Sequence, residues 1–133
     1  MPIYSEMLRG RDVFAPGADI RVPAYQRGFA WSEKEVGELT RDLVEAFTQS
    51  VIFFLGTLVL VQPRSKGPGD VVDGQQRLTT LTIILAVLRD LTPSSDVAHA
   101  AHSMIGHDVA AICGDRQKWR MTLNSMDADF FRK

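Results

Sequence analysis

Val36, Leu39, Leu43 and Phe47 recur at three- and four-residue spacing, while Glu38, Arg41, Asp42 and Glu45 fall mostly off that stripe. This is the pattern of a helix that buries one face. Its start is marked by Ser32-Glu33-Lys34-Glu35, a capping box in which the serine and the glutamate satisfy each other's backbone N–H groups. The helix is expected to end near Gln49. A stronger period runs from Gln75 to Leu91, where Leu78, Leu81, Leu85, Leu88 and Leu91 share a face with Ile84 adjoining it, and Pro93 stops it. Ser94-Ser95-Asp96 then predicts a third helix over roughly residues 96 to 113, closed by Gly114.

Between these helices the period changes. Ile20-Arg21-Val22-Pro23 reads as a short extended piece, because the proline biases Val22 toward the β region and cannot donate to a ladder. Val51 to Gln62 is apolar on both alternations, which predicts a strand covered on both faces, with Gly56 a bulge or a close approach. The turn formers from Pro63 to Asp70 reverse the chain into a second strand at Asp70 to Asp73, so an antiparallel pair leads straight into the leucine-rich helix. Weaker signals predict a short helix at Tyr4 to Arg9, a turn at Pro16-Gly17, a strand over Lys118 to Leu123 and the first turns of a helix at Ser125 to Lys133. Phe130 and Phe131 there call for further residues to pack on. The expected organisation is a core over residues 1–93 and a helical extension over 94–133 that begins a longer region.

Composition narrows the class without choosing a function. The 133 residues suit one core, and 45% hydrophobic with 23% charged residues is the balance of a chain that folds. With 15 basic against 16 acidic side chains there is no global positive field to attract nucleic acid, although a local basic site remains compatible with that balance. Cys113 has no partner for an intrachain disulfide, and MPIYSEMLRGRD is too charged for the core of a signal peptide, so the cytoplasm is the expected location. The longest apolar run, Val51 to Val61, falls well short of the roughly 20 residues a spanning helix requires, and no membrane partner is expected. At about 100° per residue, His99 and His102 are helix neighbours but His107 is about 140° from His102, so the three histidines cannot close on one metal ion.

The chemistry is concentrated in Asp73-Gly74-Gln75-Gln76-Arg77, between the second strand and the leucine helix. If Asp73 is the N-cap, it and Gln76 form an Asp/Gln version of a capping box, and the glycine serves the turn. Arg77 is left unexplained, since a cation in the first turn faces the positive end of the helix dipole at a cost of a few tenths of a kcal/mol. An anion at the helix N-terminus, held by free amides and the Arg77 fork, would remove that conflict. A second Gln-Arg pair lies in Pro23-Ala24-Tyr25-Gln26-Arg27-Gly28-Phe29-Ala30-Trp31. Arg27 can meet a phosphate there, with Tyr25 or Trp31 stacking on a base. The plainer reading puts Tyr25, Phe29 and Trp31 in the core under the first helix, with Trp31 as a hydrophobic staple.

Taken together, I-x-V-P-x-Y-Q-R-x-F-x-W, then F-L-G-T-L-V and V-V-D-G-Q-Q-R-L-T-T-L, from about Asp12 to Leu91, resemble the N-terminal domain family of GmrSD-type restriction endonucleases. Arg120-Met121-Thr122-Leu123, with Asp127 and Phe130, is also similar to the stretch after that family's first helical insertion. The resemblance implies an α+β fold related to the ParB and sulfiredoxin group: a small mixed sheet flanked by helices, with a C-terminal helical extension. It also implies a module of a modification-dependent restriction or phage-defence system that binds and hydrolyses nucleoside triphosphates with Mg²⁺. A separate C-terminal nuclease domain of the HNH type would be the partner that cuts DNA. Carried over by position, the nucleotide and phosphate contacts fall on Tyr25, Gln26, Arg27, Gly74, Gln75, Gln76 and Arg77. Asp73 and Arg77 are the catalytic candidates, with Asp73 as the metal ligand or the group that positions water. Ala24 departs from the family, many members of which carry an acidic or polar residue there. Two other readings use the same residues: a ParB-like DNA-binding module without turnover, and a protein-interaction domain whose DGQQR turn is structural.

Overall fold

The computed structural model describes residues 3–15, 18–62, 68–92, 95–108, 117–123 and 127. Its centre is Val71, which is fully buried between the sheet and the helix that follows it. Val71 belongs to β3 (Gly69–Asp73), which pairs antiparallel with β2 (Val59–Val61) across the predicted hairpin. On its other side β3 pairs in parallel with β1 (Ile20–Arg21), and β1 pairs in parallel with β6 (Met121–Thr122). The sheet order is therefore β2-β3-β1-β6, a small mixed sheet. In that register Arg21 lies beside Asp70, and its guanidinium forks onto the carboxylate at 2.7 and 3.0 Å. The pair holds Asp70 below the ordinary carboxylate range.

Helices flank this sheet. α1 (Gly10–Val13) is a single turn that follows a segment without regular structure, so the short helix expected at Tyr4 to Arg9 lies instead just after it, where Phe14 enters the core. α2 (Glu33–Gln49) starts at Ser32 with the predicted capping box: Glu35 accepts from the Ser32 N–H at 2.7 Å. The Ser32 hydroxyl and N–H hold the Glu35 carboxyl below its ordinary value. Its buried stripe ends on Ala46 and leaves Phe47 86% exposed, because burial follows a spacing of three, four and three residues from Val36. α3 (Gln75–Leu91) has the predicted bounds, but its burial is concentrated in the first two turns, in Leu78 and in three threonines. Thr79, Thr80 and Thr82 turn their hydroxyls back onto carbonyls four residues earlier, which satisfies them in an apolar setting and keeps the interface narrow. At the far end Leu88 and Leu91 are exposed, so the leucine face is only half used.

Two expectations about strands need correction. Val51 to Gln62 is not one strand covered on both faces: only Val59–Val61 is strand, and Val51, Ile52 and Phe54 are exposed on an irregular segment. The edge position of β2 gives it one neighbour, and its register is irregular between Val59 and Leu60. The third helix, α4 (Asp96–Ile105), is capped by Ser95 as predicted but stops at Gly106, where the chain becomes β4 (Gly106–Asp108) and pairs antiparallel with β5 (Gln117–Trp119). Arg120 interrupts the predicted 118–123 strand: its buried guanidinium donates twice to the Ser103 carbonyl, at 3.0 and 2.8 Å, pinning the end of α4 to β6. The turn at Pro16-Gly17, the closing Gly114, Cys113 and the helix at Ser125 to Lys133, Asp127 apart, lie outside the described residues.

Candidate functional site

The hairpin delivers Asp73 and Gly74 to the start of α3, and here the cap differs from the one the sequence suggests. The N-cap is Gly74, at φ +93°, and no side chain caps the helix. Only glycine suits that backbone, and a Cβ would also meet the Thr57 carbonyl at 3.1 Å. Asp73 bends back on itself, its Oδ1 accepting from the Gly74 N–H at 2.9 Å. The first turn of α3 carries no acidic residue. Its leading amides, at Gln75, Gln76 and Arg77, lack intrahelical acceptors by geometry and form the positive end of the dipole.

Gln76, freed from the capping box, does something else. Nearly buried, it lies across the loop between β1 and α2: its Oε1 accepts from Ala30 N at 2.8 Å and Trp31 N at 3.3 Å, and its Nε2 donates to the Gly28 carbonyl at 3.1 Å. Gln75 Nε2 donates to the Arg27 carbonyl at 3.3 Å, while its buried Oε1 has no partner among the described residues. Gln26 Nε2 donates to the Val72 carbonyl at 3.3 Å. The glutamines of the two Gln-Arg pairs thus bind the loop to the hairpin and helix, which leaves the arginines as the charged groups of the two motifs, Arg27 exposed and Arg77 partly covered.

Arg77 is half-buried and its position is built by the segment before β2. Gly56 has φ +106°, and a Cβ there would lie 2.6 Å from Arg77 Nη1 and 2.7 Å from Cζ, so the guanidinium lies directly on the glycine. Arg77 Nη1 points to the Thr57 carbonyl at 3.5 Å. Gly56 is the close approach anticipated from the sequence, and Arg77 is what approaches it. Neither Arg27 nor Arg77 forms an ion pair among the described residues. Two guanidinium groups without an ion-paired carboxylate among the described residues, beside an uncapped helix start, make an anion-attracting end.

These residues surround an open cleft of about 510 Å³ between the β1–α2 loop, Thr57 and the start of α3. Of the residues singled out in the sequence, Gln26, Arg27, Asp73, Gly74, Gln75, Gln76 and Arg77 line it together. Tyr25 does not; it is 73% exposed outside the lining, and the aromatic wall is Trp31. The core reading of the aromatics therefore fails for Tyr25, while Trp31 is only partly covered. Gly56 and Thr57, behind Arg77, are the site-forming residues to which the sequence assigned no role in the cleft; a glycine within an apolar run was the available signal. Asp73 lines the cleft with one carboxylate, and a Mg²⁺ ion, which keeps most of its waters, would need only one or two such ligands. No cluster of three or more His, Cys, Asp or Glu side chains suited to a metal is found among the described residues, and none of their helices is long and apolar enough to cross a membrane.

Comparison with curated proteins gives no match. The family model for the GmrSD restriction endonuclease N-terminal domain, in contrast, matches residues 5–133, nearly the whole sequence including both Gln-Arg motifs and the Asp127 segment. The chain belongs to the GmrSD restriction endonuclease N-terminal domain family.

Proposed function

We propose that the cleft binds a nucleoside triphosphate and hydrolyses it, as the nucleotide-handling module of a modification-dependent restriction or phage-defence system whose cutting is done by an HNH-type nuclease domain. The observation that carries this reading is the uncapped start of α3 behind Gly74, with Arg77 held beside it on Gly56 and no carboxylate paired to it among the described residues. An anion of high charge relieves the conflict between Arg77 and the helix dipole, and a triphosphate supplies it.

The parts have distinct roles. The leading amides of α3 and the Arg77 fork hold the terminal phosphates, and Arg27 closes the clamp from the loop. Trp31, rather than Tyr25, offers the face on which a base stacks. Asp73, its Oδ1 fixed by the Gly74 N–H, holds Mg²⁺ or orients the attacking water through its other oxygen. When bound, the metal neutralises phosphate charge. In hydrolysis the water oxygen bonds to the terminal phosphorus and gives up one proton to a phosphate oxygen or to solvent, the bridging oxygen leaves with the electron pair of the broken P–O bond, and Arg77 stabilises the charge that develops.

The test is calorimetric titration of each nucleoside triphosphate with Mg²⁺ into the wild-type chain and Arg77→Ala, followed by a phosphate-release assay. Binding and release in the wild type are expected, both lost in a variant that melts within about 1 kcal/mol of it, since Arg77 is half-buried and has no ion pair among the described residues to lose. Retained binding in Arg77→Ala sinks the assignment. DNA affinity that falls steeply with salt, without phosphate release, would transfer the two arginines to a DNA backbone and favour the ParB-like reading.

A further inference from the structure

The loop that carries Gln26, Arg27 and Trp31 into the cleft makes little structure of its own. Residues 27–32 are irregular, and the turn before them is closed by Gln26 N on the Pro23 carbonyl at 3.1 Å. It is held instead by side chains from remote segments, residue after residue: Gln75 on Arg27, Gln76 on Gly28, Ala30 and Trp31, and Asp127 on Phe29. The first two belong to α3, the element that builds the phosphate end of the cleft, so those ties keep fixed geometry with it. The third comes from beyond β6. Asp127 Oδ2 accepts from the Phe29 N–H at 2.7 Å, a short charge-assisted bond in a part-buried place. β6 lies beside β1, where Val22 N donates to the Thr122 carbonyl at 2.8 Å, so the strand before Asp127 is paired at the root of the loop.

We propose that Asp127 is a positioning residue of the cleft: its carboxylate fixes Phe29, and through it Arg27 two residues earlier, so that ligand occupancy and the Asp127–Phe29 contact are coupled. Coupling of this kind is reciprocal, since whatever orders the loop from the cleft side also favours the Asp127 contact, and loss of that contact weakens the clamp. The ligand side of the claim rests on the nucleotide reading above; the strap itself does not.

The experiment uses the whole chain with Asp127→Ala, Asp127→Asn and Arg27→Ala, alone and combined, and reads two quantities: exchange of the Phe29 amide without ligand, and affinity for a Mg²⁺ nucleoside triphosphate. A bond to a charged acceptor in this setting corresponds to roughly 10- to 100-fold faster exchange at Phe29 when it is removed. Asp127→Ala is expected to show that increase and about a 10-fold loss of affinity, while Asp127→Asn, which keeps an acceptor oxygen, returns both to within about 3-fold of wild type. In the Arg27→Ala background, Asp127→Ala should cost no further affinity, because the residue it positions is gone. Equal losses in both backgrounds, or unchanged Phe29 exchange, would overturn the proposal. Absence of nucleotide binding by the wild type, with Phe29 exchange still raised in Asp127→Ala, would remove the nucleotide reading and the coupling with it, leaving Asp127 as a strap alone.

Discussion

Replacing Gln76 with methionine tests whether the middle of the DGQQR motif is ligand machinery or loop architecture. The side chain is nearly buried and makes three hydrogen bonds, all to backbone groups of residues 28–31. Methionine has the same reach and leaves little cavity, so the loss is chiefly those bonds and the two N–H groups and one carbonyl left behind. At about 0.5–1.5 kcal/mol net for each bond, the variant should lose roughly 2–4 kcal/mol. The loss has two ways to show itself. If the loop stays docked, urea denaturation reports a lower midpoint with an unchanged slope. If the loop detaches first, global stability falls less, and the Ala30 and Trp31 amides exchange about 30- to 10³-fold faster. Nucleotide affinity should fall in either case, because Arg27 and Trp31 ride on that loop. A Gln76→Met protein within about 0.5 kcal/mol of wild type, with unchanged exchange at Ala30 and Trp31, would refute this account of the residue.

Other consequences are as direct. Gly56→Ala should displace the Arg77 guanidinium and strain the backbone at φ +106°, costing about 1–3 kcal/mol in thermal unfolding. Phosphate-dependent binding should fall with it even though residue 56 touches no ligand, and wild-type affinity in the Gly56→Ala variant would contradict the packing of Arg77 on this glycine. The Arg21–Asp70 pair contributes a small acid-sensitive increment. Because the folded carboxyl titrates below its unfolded value, that increment is present above the ordinary aspartate range and lost as pH falls through the lower folded value. Asp70→Asn should therefore remove a small increment at neutral pH and flatten the stability profile in the acidic window, so that urea midpoints of the two proteins converge as pH falls; a constant gap across pH would contradict the pairing.

What the sequence alone determined is local. The bounds of α3, the start of α2 and the Ser32–Glu35 cap are fixed by residues within about four positions of one another, and helical periodicity and capping act over that range. The hairpin running into DGQQR was legible for the same reason, and the pairing of two short motifs carried the family. Tertiary structure decided what those motifs do. The capping role expected of Gln76 failed because its amide had a better set of partners 45 to 48 residues away. The close approach at Gly56 was visible, but not that Arg77 fills it; Tyr25 and Trp31 looked equivalent until the loop placed one outside the cleft and the other on its wall. Asp127 meets Phe29 across 98 residues. Contacts of that span depend on strand order and register, here β1 set in parallel between β3 and β6, and pairing of that kind leaves no periodic trace in either segment.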